Sequence, residues 1–191
     1  MQPDGSHEDF AAKDYLDHIA ELVEPWSYLK FPYQKKAGKM TMDLENPVGV
    51  YRVNALARIN VVDKIPTPLA QKELEEFRSQ FGRPAQATLL SHWARLIELV
   101  YCTERLLQLL EEPDITSTDI RAQVTPRAGR GIGSVEASRG TLIHDYETDE
   151  KGIVKDLNLL VATVQNNAAM NIAVKKTARD LIKGGKYDQG I

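Results

Sequence analysis

The chain has 191 residues, with 24 Lys plus Arg against 27 Asp plus Glu, 42% apolar and 27% charged residues, and a single Cys. These proportions exclude low-complexity disorder and collagen-like repeats, and a formal charge of -3 leaves no electrostatic footprint for nucleic acid. One Cys excludes an internal disulfide or a paired-cysteine metal site within this sequence, no apolar run reaches the roughly 20 residues that span a bilayer, and the polar stretch Met1–Phe10 has no signal-peptide core, so a cytoplasmic location without membrane insertion is expected.

In chain order, Asp4-Gly5 reads as a turn at a hairpin tip. Ala12–Val23, with Tyr15, Leu16, Ile19, Ala20, Leu22 and Val23 apolar, reads as a short amphipathic helix. Glu24-Pro25 ends it, because the residue before proline avoids the helical region. Trp26–Lys39 reads as an extended segment anchored by Trp26, Tyr28, Phe31 and Tyr33 packing on the core, followed by a basic loop. Val48–Val62 is strand-prone. Thr67 and Pro68 are a good N-cap and first helical residue, and Ala70, Leu74, Phe77 and Phe81 mark one face of a helix ending at Gly82.

Pro84 opens the strongest helical pattern. Leu89, Trp93, Leu96, Val100, Leu107 and Leu110 form one stripe, a helix of about 27 residues and roughly 40 Å, which Glu111-Glu112-Pro113 stops. A helix this long belongs in a bundle. Thr125–Arg139 reads as a Gly-rich, basic loop. Thr141–Tyr146 reads as a strand, Asp149–Gly152 as a hairpin loop and Ile153–Thr163 as the return strand. Asn166-Asn167 opens a last helix to Lys183, with Met170, Val174, Ala178, Leu181 and Ile182 inward, and Gly184-Gly185 ends it.

Few residues carry chemistry by pattern alone. Gly129-Arg-Gly-Ile-Gly133 lacks the spacing of a dinucleotide fingerprint and the lysine of a P-loop. His7, His18, His92 and His144 fit no metal-ligand spacing, and Cys102, mid-helix, reads as a packed, inert thiol. Arg139 lies between a Gly-rich stretch and a strand, where small neighbours let its guanidinium enter a tight cavity; composition favours an ion pair with Glu136 or another acid. Gln165-Asn166-Asn167, at a strand-to-helix junction, reads as a cap. Residue patterns alone give a soluble α+β domain and no reaction.

The segment Glu136-Ala-Ser-Arg-Gly-Thr-Leu-Ile-His144 resembles the large subunit of nickel–iron hydrogenases. The likeness continues through Glu24-Pro-Trp-Ser-Tyr-Leu-Lys-Phe-Pro-Tyr33, Tyr51-Arg-Val-Asn-Ala-Leu-Ala-Arg-Ile-Asn60, Thr67-Pro-Leu-Ala70, Ala94-Arg-Leu-Ile-Glu98, Asn158-Leu-Leu-Val-Ala-Thr-Val-Gln-Asn-Asn167 and Ala169-Met-Asn171. These cover nearly the whole chain in order, and two of them resemble the cytosolic, cofactor-coupled group that includes F420-non-reducing and bidirectional NAD(P)-linked enzymes. The resemblance implies a mainly helical α+β fold, a helix bundle around one long helix plus a β-hairpin, in a single domain over residues 1–191. It implies an oxidoreductase that reversibly converts dihydrogen to protons and electrons.

In that family a nickel–iron centre with CO and cyanide ligands hangs on four thiolates from two CxxC pairs. This chain has neither pair, and Cys102 matches no ligand position. The expectation is a central piece of a longer large subunit, with one pair before Met1 and the other after Ile191, and with Tyr187–Ile191 resembling the approach to the second. No nickel or iron ligand is therefore expected in this chain, which would be metal-free, inactive and weakly stable by itself.

What the resemblance carries over is the surroundings of the centre. Arg139 matches the arginine above the open face of the metals, which helps pass the proton from dihydrogen. Ser138 stands where the family has proline, placing a hydroxyl in reach of a cyanide. Glu136, His144, Gln165 and Asn166 would flank the centre without binding it, and the Leu159 carbonyl would reach a magnesium-type ion. Implied partners are an iron–sulfur small subunit, together with an NAD(P)-, F420- or heterodisulfide-linked electron-acceptor subunit. Two alternatives stay open: a fold-related subunit without thiolates, such as the quinone-site subunit of respiratory complex I, and an independent helical interaction protein.

Overall fold

Local signals set several element boundaries, and distant partners set the rest. The computed structural model describes Met1 and residues 4–187. In chain order its regular elements are α1 (Tyr15–His18), β1 (Ile19–Val23), β2 (Lys30–Gln34), α2 (Ala55–Val61), α3 (Pro68–Phe81), α4 (Leu90–Leu110), β3 (Gly129–Ala137), β4 (Gly140–Thr148), β5 (Val154–Leu160), α5 (Ala162–Gln165) and α6 (Asn167–Leu181). Strands β1 and β2 form one small sheet, and β3, β4 and β5 form a second in that order, so the architecture is the expected mainly helical α+β. Two residues join β3 to β4, which only antiparallel neighbours allow. The tail beyond Tyr187 lies outside the described residues.

The chain falls into two compact units. The first comprises Met1–Asp9, Asn54–Arg130 and Glu147–Asp156; the second comprises Phe10–Val53, Gly131–Tyr146 and the stretch from Leu157 onward.

The first unit is a helical packing of α2, α3 and α4 around Leu56, Ile59, Leu74, Phe77, Ala94 and Ile97. Val48–Val62 is not a strand. Asn54 caps α2 through its side chain, which accepts from the Ala57 N–H at 3.2 Å, and burial of Leu56 and Ile59 on one face outweighs the β-branched content. Arg78 seals the other end of α2 by donating to the carbonyls of Ile59 (2.8 Å) and Asp63 (2.8 Å). A two-pronged ion pair joins Arg58 to Glu98 at 2.6 and 2.7 Å. Helix α3 starts at Pro68 and stops at Gly82, as its sequence signals. Its N-terminal donors go not to Thr67 but to the Glu104 carboxylate of α4, which accepts from Leu69 N–H and Ala70 N–H, each at 3.0 Å.

Helix α4 starts six residues later than the pattern from Pro84 suggests, and it buries a different stripe. Ala94 and Ile97 are buried, whereas Leu89, Leu96, Leu107 and Leu110 are exposed. A helix with leucines on all sides has no single period, so the pattern could not choose the inner face. Phe81 is exposed on one side and packs edge-on against Trp93 at 5.6 Å.

The second unit contains the ribbon β1–β2, paired from Ile19↔Gln34 to Val23↔Lys30. The expected helix Ala12–Val23 is therefore a single turn followed by a strand, because pairing with Lys30–Gln34 supplies more backbone bonds than a short free helix could. Phe31, on β2, is buried, but Trp26 and Tyr28, which precede the strand, are exposed. The Gly-rich stretch before Arg139 is mostly strand β3 rather than loop. Asp4-Gly5 forms a turn, with no strand beside it among the described residues. Two apolar clusters build this unit: Tyr15, Ile19, Ile143 and Leu160, and Phe31, Met40 and Ala168. On α6 the expected inward residues Met170, Val174, Leu181 and Ile182 are exposed, and the buried ones sit at its start, Asn167 and Ala168.

Candidate functional site: the turn that carries Arg139

The β3–β4 hairpin turns through Ser138 and Arg139. The next residue, Gly140, has φ +127°, and a Cβ built there would lie 2.5 Å from Val53 Cγ2 and 2.9 Å from the Val53 backbone carbon. Both the dihedral and the contact demand glycine, so the turn sits directly on the Tyr51–Val53 stretch.

Three consecutive carboxamides hold this arrangement from behind. Gln165, 2% exposed, accepts from the Tyr51 hydroxyl at 2.9 Å and donates to the Thr141 carbonyl at 2.5 Å. Asn166 takes both polar groups of Val53, accepting from its N–H at 2.9 Å and donating to its carbonyl at 2.7 Å. Asn167 donates to the Lys30 carbonyl at 2.9 Å. None of the three N-caps α5 or α6 through its side chain, although Asn166 also donates to the Ala162 carbonyl of α5 at 3.3 Å. They staple three segments to one helix start and satisfy buried backbone groups that would otherwise be costly. Burial pushes the Tyr51 phenol far above its ordinary value, helped by the nearby negative charge of Glu21, so it stays a neutral donor.

Arg139 itself is exposed, and it forms no ion pair among the described residues. The expected pairing with Glu136 does not occur; the Glu136 carboxylate instead accepts from the Thr141 hydroxyl across the turn. The hairpin thus presents a guanidinium with its donors uncommitted on a backbone fixed by buried bonds. Ser138 shares the turn. His144 is half-buried on β4, with its ring 5.9 Å from that of Tyr146. Leu159 is half-buried near the end of β5, beside the fully buried Leu160. The structure thus gathers Glu136, Ser138, Arg139, Gln165 and Asn166 around one turn, and adds Tyr51, Val53 and Thr141, which single residues gave no reason to select. Their partners lie 24 to 114 residues away in sequence.

A second polar group lies in the same unit. Tyr15 donates to Asp145 at 2.9 Å, and Asn158 donates to Tyr15 (3.2 Å) and Glu21 (3.0 Å) and accepts from Lys30 (3.0 Å). A carboxamide in the middle of this set does not relay protons, so the set braces the β1–β2 ribbon against β4 and β5.

The donor set for a metal is poor. No group of three or more His, Cys, Asp or Glu side chains among the described residues could hold an ion, and Cys102 is exposed on α4, in the other unit. These residues do not fit a thiolate-held bimetallic group. No described helix is long and apolar enough to cross a membrane.

Comparison with known proteins gives a consistent result. No family model matches the chain. A vhu-type F420-non-reducing hydrogenase subunit of Methanococcus voltae is 47% identical over 184 residues, covering 96% of this chain and 42% of the relative. The NAD-reducing hydrogenase HoxS subunit beta of Cupriavidus necator is 43% identical over 187 residues, covering 96% of this chain and 37% of the relative. Among solved structures, an NAD+-reducing [NiFe]-hydrogenase in the H2-reduced state superposes with a TM-score of 0.81 at 37% identity, over 94% of this chain and 38% of that one. The chain spans about two fifths of the length of these relatives. They are subunits of hetero-oligomeric enzymes.

Proposed function

This chain belongs to the nickel–iron hydrogenase large-subunit family over the stretch that it spans, and from that premise we propose that it supplies the arginine-bearing wall of a site for the reversible oxidation of dihydrogen. The observation that supports this reading is the turn: an uncommitted guanidinium on a backbone that Gly140, Gln165 and Asn166 hold in place. Arginine is charged at every working pH and offers five donors in a rigid fork. Mounted beside a water-poor reacting site, such a charge favours charge separation and orients a departing proton. Arg139 is accordingly the catalytic residue of this stretch.

The thiolates for a nickel–iron group with CO and cyanide ligands are not among this chain's residues, so other segments of the complete subunit would hold it. Ser138 would offer its hydroxyl to a cyanide, the Leu159 carbonyl would face a magnesium-type ion, and Glu136, His144, Gln165 and Asn166 would shape the wall. The reading extends to a cytoplasmic complex with an iron–sulfur small subunit, together with an NAD(P)-, F420- or heterodisulfide-linked acceptor subunit. The relatives are hydrogenases throughout, which disfavours a quinone-site subunit of complex I.

The test is to isolate the chain from its own cells with whatever it assembles with, then measure nickel and dihydrogen-dependent dye reduction. Nickel and dihydrogen uptake in the complex, with neither in the separated chain, are expected. An intact complex that holds no nickel and reduces no dye with dihydrogen overturns the reading.

A further inference from the structure

We propose that Tyr51 is a positioning residue for Arg139, acting through Gln165 on the peptide that follows the turn. The functional half of this inference rests on the reading of Arg139 given above; the structural half does not.

Tyr51 lies on the stretch that Gly140 packs against, two residues before Val53. Its hydroxyl meets Gln165 Oε1 at 2.9 Å, and Gln165 Nε2 meets the Thr141 carbonyl at 2.5 Å. The Thr141 carbonyl can only accept, so it settles that the NH2 end of Gln165 faces it and the oxygen faces Tyr51. The bond from Tyr51 then holds that oxygen and restricts the torsion of a buried side chain. Gln165 thus ties the 141–142 peptide to Tyr51, and Arg139 sits two residues before that peptide on a turn packed against Val53. Asn166 fixes Val53 in turn, through both of its backbone polar groups. The turn is thereby held on two sides by amide side chains from one helix junction, and the phenol anchors the first of them. Its raised pKa keeps the proton on the oxygen across the working range, so the donation to Gln165 does not depend on pH.

The experiment uses the full chain and reads local opening by amide hydrogen exchange. Tyr51→Phe keeps the ring and loses only the hydroxyl. Exchange at Gly140, Thr141 and Leu142 is expected to rise about fivefold to tenfold, the equivalent of one lost hydrogen bond. Amides of the β1–β2 ribbon should keep their rates. Gln165→Met, which loses both bonds, should raise exchange at the same amides at least as much, and adding Tyr51→Phe to it should produce no further increase, because the two side chains act in series. Unchanged rates at the turn, an equal rise across the whole unit, or additive effects in the double variant each overturn the proposal. The functional half is read in the assembled complex, where Tyr51→Phe should lower dihydrogen turnover about tenfold at unchanged KM for dihydrogen, and should have no effect in the Arg139→Lys background. If exchange at the turn responds but turnover falls equally in both backgrounds, Tyr51 does not act through Arg139 and the functional half fails. If the complex shows no dihydrogen chemistry at all, it is the hydrogenase reading that fails, and the exchange data still decide the structural half.

Discussion

The wall behind Arg139 and the far half of α4 are opposite kinds of surface. Behind the turn, the buried amides of Gln165 and Asn166 find partners inside the chain, and Gly140 fills its space to contact. Beyond Tyr101, α4 carries Leu106, Leu107 and Leu110 at 57%, 62% and 59% exposure. Polar groups must be matched where they are buried, so a finished polar wall shows that its local structure is complete. Apolar side chains left in water are a cost that only further contacts remove. The first region should therefore be brittle to substitution and the second tolerant.

Gly140→Ala should have the largest effect. It sets a methyl group into Val53 and forces a non-glycine residue to φ +127°, and a loss on the order of 3–4 kcal/mol is expected in urea unfolding followed by the fluorescence of the second unit. Gln165→Leu comes next, because it strands the Tyr51 hydroxyl and the Thr141 carbonyl; about 2–3 kcal/mol should be lost in the same assay. A loss under ~0.5 kcal/mol for either variant would show that the wall is not a rigid frame.

A pH dependence belongs to the helical unit. Partial desolvation pushes the Glu104 carboxyl up; the Thr67 hydroxyl, which touches it outside hydrogen-bond geometry, and the N–H groups of Ala70 and Leu69 outweigh this and leave it below its usual value. A carboxylate with a folded-state pKa below its unfolded one stabilises above the unfolded pKa and loses that contribution as pH falls through the folded one. Protection factors at the start of α3, corrected for the intrinsic pH dependence of amide exchange, should therefore fall in acid, below the usual carboxylate range, and Glu104→Gln should remove that pH dependence. The smallest effect is expected on α4: Leu106→Lys with Leu110→Lys should change unfolding free energy by less than ~0.5 kcal/mol while reducing self-association in sedimentation. A large loss of stability there would mean that the leucines already pack within this chain.

What could be read from the sequence divides along the same physical line. Thr67-Pro68 and Gly82 mark the ends of α3 because such signals act within one turn of helix. The hairpin around Asp149–Gly152 is legible for the same reason, with Asp149 Oδ1 accepting from Lys151 N–H and Ile153 N–H, each at 2.9 Å. Gln165, Asn166 and Asn167 look like caps because caps and long-range staples use the same side chains; only their partners, Thr141, Val53 and Lys30, tell the two apart. Ile19–Val23 fits a helix or a strand by period, and β2 decides it. The resemblance singled out Arg139 as a candidate where no spacing argument could, while Tyr51 stayed hidden because its partner, Gln165, lies 114 residues along the chain.

The most direct test of the central claim is dihydrogen–deuteron exchange by the assembled complex carrying Arg139→Lys, which keeps the charge but loses the fork. A fall of roughly 100-fold is expected, with the complex intact and amide exchange at Gly140–Leu142 unchanged. Exchange activity at the level of the unsubstituted complex would contradict the role given to Arg139.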